Sequence, residues 1–345
     1  MLADAVIVGA GLHGCSTALH LARAGIKPVV LEQAHPGRHA SGVNAGGVRR
    51  LGRHPAEIPL SVAAMDIWLD IAALVGSDCG FRRTGQVKVA ESDAEMLQLR
   101  QRVDQLRSLG FLHEEMIDAD ELRQLIPAVS EHCRGAIISR DDGFALPYQT
   151  VSAFRRTAES AGAQFNSGSR VESVERRGKL WRVQSGQLVV EAPLLVNCAG
   201  AWAGHIAAQL GEPVPLRADA PMLMITERVP PFCAPVVGAA GRALSFKQFE
   251  NGTVLIGGGH LGEADPARQK TRLNMAGLAI SARTAAEIFP CMQSVRVLRC
   301  WAGIEGVTPD AIPVVGPSSA SLPANQPVPH PKSRIAGRAR RSEFT

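Results

Sequence analysis

Apolar and polar positions run along this chain in blocks whose period switches between strand-like and helix-like. Residues 2–8 form a short apolar run ending in Ala-Val-Ile-Val, the pattern of a strand buried on both faces. A helix of small residues is expected over 15–24, stopped by Gly25, and a second apolar run at 28–31 ends on Glu32. Helical spacing returns over 59–75, and 85–90 alternates as a strand. Residues 92–109 predict another helix, opened by a capping box of Ser92 and Glu95 and closed by Gly110. Shorter helices are expected over 118–125 and 149–161. Residues 164–190 alternate in three pieces, a small β-meander, and 194–202 read as a buried parallel-type strand ending in small residues. Strand signals fill 222–226, 244–249 and 253–257, the last two joined as a hairpin at Asn251-Gly252. A helix over 273–289 and a strand over 295–301 follow. From Pro317 the periodicity stops, and 317–345 has the composition of a disordered, basic, Pro-rich tail.

The order strand, glycine turn, helix, strand, acid is the one a dinucleotide-binding β-α-β unit requires. The turn reads Gly9-Ala10-Gly11-Leu12-His13-Gly14. Gly9 makes the tight turn, Gly11 lets the backbone approach a pyrophosphate, and Gly14 lets the helix lie close on the sheet. The helix N-terminus offers unpaired N–H groups to phosphate. Glu32, followed by Gln33, stands where a carboxylate accepts hydrogen bonds from a ribose diol. After it comes a loop of small residues, Ser41 to Arg50, able to pass close to a ligand.

Composition narrows the class. With 345 residues the chain has room for two cores or one interrupted α/β unit. No apolar run is long enough to span a bilayer. The glycine motif begins so near Met1 that no signal peptide is expected. Seven cysteines without a CxxC pair suggest a reducing compartment and no metal site, so a cytoplasmic location is expected, with room for peripheral membrane association. The net charge is +5, of which the tail carries +4 through Lys332, Arg334, Arg338, Arg340 and Arg341 against Glu343. The near-neutral body argues against nucleic acid as a partner.

Together these pieces resemble the D-amino-acid-oxidase-like family of FAD-dependent oxidoreductases. The resemblance covers about residues 3–316 and rests on GAGLHG with Glu32, SGVNAGGVR at 41–49, NCAGAWA at 197–203, IGGG at 256–259 and WAGIEGVTPDAIPVVG at 301–316. Among members it is nearest to flavin subunits of amino-acid, opine and hydroxyproline dehydrogenases and to glycine and sarcosine oxidases. It implies an α/β fold. An FAD-binding Rossmann-like domain of the glutathione-reductase type (1–80, 145–210 and 298–316) would interleave with an α+β substrate domain on a mostly antiparallel sheet (81–144 and 211–297).

The resemblance also implies site residues. Gly9, Gly11, Leu12, His13 and Gly14 would hold the pyrophosphate, and Glu32 and Gln33 the adenosine ribose. Ser41, Asn44, Ala45, Gly46 and Gly47 would face the pyrophosphate, ribityl chain or flavin. Val171 would meet the adenine, and Ala199 and Gly200 would pack beside the ADP half. Trp202 ends the same stretch, and it and Cys198 read first as packing residues. Gly303 stands where some members carry a cysteine bound to flavin, so FAD is expected to be non-covalent.

The implied chemistry is hydride transfer from the carbon beside a substrate amine to flavin N5, giving an imine that hydrolyses. No catalytic base is named. In simple amino-acid oxidases an arginine stands near Glu305, where a carboxylate would repel the substrate's; Arg49, Arg53 and His54 are the other candidates for orienting it. The substrate is a small amine or amino acid, with partner subunits of a heteromeric dehydrogenase in prospect and the electron acceptor open between oxygen, quinone and protein. Members continue past the VVGPSS-like stretch with a strand, a glycine turn and a helix, which 317–345 does not resemble. A truncated, impaired or non-catalytic subunit that keeps the fold is the alternative, and an NAD(P)-dependent dehydrogenase a more distant one.

Overall fold

The computed structural model describes residues 1–318; the tail expected over 317–345 lies outside these but for its first two residues. The chain begins β1 (Ala5–Val8), α1 (Leu12–Arg23), β2 (Pro28–Leu31), α2 (Ala40–Val43) and β3 (Gly47–Val48). It continues through α3 (Ile58–Leu69), α4 (Ile71–Val75), β4 (Gln86–Ala90), α5 (Asp93–Ser108), β5 (Glu115–Asp118) and α6 (Ala119–Leu125). Then come β6 (Gly135–Ser139), β7 (Gly143–Phe144), α7 (Pro147–Ser160), β8 (Gln164–Asn166), β9 (Ser173–Arg177), β10 (Leu180–Ser185), β11 (Leu188–Ala192) and β12 (Leu194–Asn197). The rest is α8 (Ala203–Gln209), β13 (Arg217–Arg228), β14 (Val236–Ala239), β15 (Ser245–Gln248), β16 (Thr253–Asp265), β17 (Lys270–Arg272), α9 (Met275–Ile288), β18 (Val297–Ala302) and β19 (Glu305–Val307).

Two sheets organise the molecule. A parallel sheet runs β12-β1-β2-β8. Its centre is apolar because both faces are covered: all of Ala5 to Val8 is buried, with α1 and α7 packed together on one side. The β9–β11 meander covers the other face through Val174, Trp181, Val183 and Val190. The large sheet runs β18-β13-β16-β15-β14-β4-β6-β5, with β17 on β16 and β19 on β13. Its neighbours are antiparallel except β14 and β4. One face buries Val87, Val89, Ile138, Val237, Phe246, Ile256 and α9 residues in the largest core.

The sequence-based expectations differ from these elements at three places. The helix expected over 59–75 divides at Asp70 (φ −122°, ψ 31°) into α3 and α4. Residues 164–166 leave the expected meander and join β2, because Phe165 packs in the parallel-sheet core. The expected capping box is only half formed. Ser92 Oγ accepts from Glu95 N–H at 3.3 Å, but the Glu95 carboxylate accepts from Glu91 N–H at 2.7 Å. Strands β5 and β6 had no distinct period in the sequence, since β6 is buried at every position.

Candidate functional site

At the carboxyl end of β1 the backbone itself makes the site. Gly9 has φ +99°, and a Cβ there would stand 2.4 Å from the Cys198 carbonyl oxygen. A Cβ on Gly14 would come 1.9 Å from the Gly9 oxygen, so the helix can only sit this close without one. Gly11 is limited by a side chain, its Cβ falling 2.9 Å from Ser41 Oγ. That hydroxyl accepts from the first-turn N–H of Leu12 at 3.0 Å. Glu32, 8% exposed, accepts from Ala10 N–H at 2.8 Å and Ala34 N–H at 2.9 Å. The acid therefore braces the glycine turn while each oxygen keeps a lone pair for a ligand.

These groups line an open cleft. Of the residues singled out from the sequence, Gly9, Gly11, His13, Glu32, Gln33, Ser41, Val171, Ala199, Gly200 and Trp202 form its walls. Sequence reasoning missed Arg38, His39, Ser169, Arg170 and His205, which line it too, as does Ile304 of the 301–306 turn. Arg38 and His39 stand just before Ser41 and were within reach of the motif; nothing local marked His205. The His39 ring lies 4.8 Å from that of Trp202, and burial followed by the Arg38 charge lowers its pKa. The Trp202 indole N–H donates to the Pro266 carbonyl at 3.1 Å, which anchors the ring as a wall. A glycine cradle at a helix N-terminus, flanked by arginines and ending at a carboxylate, fits an extended dinucleotide with a pyrophosphate at its middle.

The remaining loop residues, 44–47, do not line the cleft. Asn44 donates to the Ala40 carbonyl at 2.8 Å and accepts from Gly46 N–H at 2.6 Å, closing its own turn. Gly46 (φ +70°) passes so near Ala145 that a Cβ would meet its oxygen at 2.2 Å. Gly47 pairs with Phe144. Buried Lys247 donates to the Ala45 carbonyl at 2.5 Å, and Trp301 donates to the Val43 carbonyl at 2.8 Å. A Cβ on Gly303 would stand 2.4 Å from Val43 Cγ2. The loop is thus gripped from the large sheet by β15 and β18. The Lys247 ammonium also sits over the Phe144 and Phe249 rings, at 4.3 and 4.8 Å, and burial brings its pKa down to about 7.

The four candidates for orienting a substrate separate clearly. His54 caps the turn at 55–57, its Nδ1 accepting from Ala56 N–H at 3.2 Å. Arg53 pairs with Glu57 at 3.4 Å. Glu305 lies exposed on β19 opposite Asp219; desolvation, then that facing carboxylate, raises its pKa. Arg49 has no carboxylate partner among the described residues. Its guanidinium donates to the Leu51 carbonyl at 2.6 Å, and desolvation, then the Arg53 charge, lowers its pKa. Its neighbour Arg50 pairs with fully buried Asp142 at 3.1 Å, and the same carboxylate accepts from the N–H groups of Arg50 and Leu51 at 2.8 Å each. Glu114, 2% exposed, accepts from Arg102 and from Gly52 N–H. Two buried acids therefore fix the segment that presents Arg49.

Comparison with known proteins agrees with this geometry. One of the subunits of opine oxidase from Rhizobium meliloti is 27% identical over 90% of this chain and 84% of its own length. Glycine oxidase of Bacillus licheniformis is 25% identical over 91% and 84%. The crystal structure of glycine oxidase from Geobacillus kaustophilus superposes with a TM-score of 0.84 at 21% identity, covering 92% of this chain and 86% of that one. A family profile described as FAD dependent oxidoreductase (DAO) matches residues 4–330, and the chain belongs to that family of FAD-dependent enzymes.

Proposed function

We propose that this FAD-dependent oxidoreductase oxidises the C–N bond of a small amine or amino acid, and that Arg49 orients the substrate through a carboxylate. Bound FAD supplies a two-electron acceptor for the hydride on the carbon bearing the amine. Gly9, Gly11 and the N-terminus of α1 would hold its pyrophosphate, with Arg38 and Arg170 balancing the charge. Glu32 and Gln33 would take the ribose, and Val171, Ala199 and Gly200 the adenosine half. The loop at 44–47, tied down by Lys247, would face the isoalloxazine end. The division into an FAD-binding part (1–80, 145–210, 298–316) and a substrate part (81–144, 211–297) belongs to the same reading, with β18 crossing into the large sheet.

The observation that carries the substrate side is Arg49. A half-buried guanidinium with only a carbonyl for company is costly unless a ligand completes it. It follows the cofactor loop directly, and a bidentate bond to carboxylate fixes a substrate's angle as well as its position. The family assignment sets aside the nicotinamide reading, and relatives named as oxidases do not favour a non-catalytic remnant. A relative named as one subunit of an oxidase supports partner subunits for this chain. No helix among the described residues is long and apolar enough to cross a membrane, and their seven cysteines are free, which supports a reducing, cytoplasmic setting. The test is the visible spectrum of the purified protein with FAD: the flavin band should bleach when amino acids are added anaerobically. A protein that takes up FAD but is bleached by no amine would overturn the reading.

A further inference from the structure

The wall of the cleft that carries Ser41 is α2, and little in the helix itself accounts for its place. Its four residues make a single turn, no side chain caps its N-terminus, and none of the four is buried. It is held from its C-terminal end instead. Asn44 donates back to the Ala40 carbonyl at 2.8 Å, Trp301 to the Val43 carbonyl at 2.8 Å, and Lys247 to the Ala45 carbonyl at 2.5 Å. Within α2, Ala40 and Ser41 line the cleft, and Ser41 Oγ accepts from Leu12 N–H at the glycine turn. A run of contacts therefore leads from β15, through Ala45 and α2, to the turn that would receive the pyrophosphate.

Lys247 is the charged member of that run, and it stands apart from other charges. It is 3% exposed, with its ammonium over the Phe144 and Phe249 rings at 4.3 and 4.8 Å. Leu255 on β16 faces it in register, and Phe144 lies on β7, opposite Gly47. None of these neighbours titrates. Glu250, just beyond Phe249, is paired with Arg82 at 2.5 Å. Lys88 shares the sheet face, but burial and the charges of Arg102, Arg49 and Glu114 are what act on it. Among the described residues Lys247 thus has no carboxylate partner, and burial brings its pKa down to about 7. A buried cation without a counter-charge is costly to keep. The charged form makes the stronger bond to Ala45 and the contact with both rings, whereas the neutral amine is a weak donor.

We propose that Lys247 is a positioning residue for FAD: its positive charge sets Ala45 and α2 in the arrangement that takes the pyrophosphate, so that loss of the proton loosens the cofactor while the fold stays intact. Lys247 acts through Ala45 and α2. Because the bound form prefers the charged lysine, affinity is full at low pH and falls as pH rises through its titration. The inference rests on the FAD-binding reading of the cleft above and is independent of which amine is oxidised.

The experiment titrates the full chain, freed of FAD, with FAD itself and follows flavin fluorescence, with no substrate present. Kd should rise roughly tenfold from pH 6 to 9.5, the difference between a charge-assisted and a neutral hydrogen bond. Lys247→Met should bind at pH 6 about as weakly as the wild type does at pH 9.5, and Lys247→Arg, charged throughout, should stay tight. His13, His39 and His205 also line the cleft, and any proton they exchange is common to all three proteins. Calorimetry in two buffers of different ionisation enthalpy gives a second readout. At pH 7.5 FAD binding should take up about half a proton in the wild type and none through position 247 in Lys247→Met. Thermal unfolding should show the Lys247→Met chain folded at both ends of the pH range. A wild-type pH profile reproduced by Lys247→Met, tight binding by Lys247→Met at pH 6, or equal proton uptake by the two would overturn the proposal. Proton-linked FAD binding with no amine oxidised would bring down the amine-oxidation reading and leave this one standing; amine oxidation with FAD affinity indifferent to Lys247 would do the reverse.

Discussion

The end of the molecule we propose for the cofactor and the end we propose for the substrate are built from different materials. At β1–α1 the site is made of backbone: glycines that admit close approaches, N–H groups at a helix start, and a single acid bracing them. At 49–53 it is made of long side chains whose positions depend on partners far away in sequence, Asp142 and Glu114 above all. The first kind of site is local and written as spacing. The second exists only once the large sheet has formed.

The comparison can be broken first at Gly14. Gly14→Val should cost more than about 4 kcal/mol and abolish a folded, FAD-containing product, because the clash is with backbone that cannot move aside. Soluble yield and flavin content would show it, and a yellow, stable variant would refute the close-packing argument. Asp142→Ala comes next, at about 3–5 kcal/mol, since it strands Arg50 and two N–H groups; thermal or urea unfolding measures it.

Lys247 sharpens the contrast through pH. Its folded pKa, about 7, lies below the usual lysine value, so the unfolded chain binds more protons in between. Stability should therefore rise as pH goes from 7 toward 10, by up to a few kcal/mol, and Lys247→Met should flatten that rise. Unfolding midpoints at pH 7 and 9.5 suffice to check it. Arg49→Gln should leave FAD content intact and lower kcat/KM for a carboxylate substrate about 100-fold, near 2.7 kcal/mol. The smallest effect is expected at Glu305→Gln, below about threefold in KM, because the side chain is exposed beside Asp219 and not beside Arg49.

This contrast also explains what the sequence made legible. Gly9, Gly11, Gly14 and Glu32 could be proposed from order and spacing because each makes its contacts within one β-α-β unit or at its end. The candidates Arg49, Arg53 and His54 could be gathered but not ranked, since ranking needed Glu57, Ala56 and Leu51 to claim their partners. Lys88 and Lys247 lie in stretches the sequence marked only as strands; the sheet register shows that they share a face. Strand β8 was misplaced for a related reason, as alternation at 164–166 does not say which sheet will take the strand.

The double acceptor role of Asp142 has a consequence for motion. The N–H groups of Arg50 and Leu51 belong to a connecting segment, yet both end on a carboxylate that has no exposure to water. Their amide hydrogens should exchange with solvent on the slow timescale of β6, opening only when the large sheet opens. The four residues before β3 are held instead through the carbonyls of Val43 and Ala45, and the Gly46 N–H ends on exposed Asn44, so that amide should exchange sooner. The stretch would then behave as a short arm held at both ends, by Asp142 at its root and by Lys247 and Trp301 at its tip, so that the cation between them keeps its place.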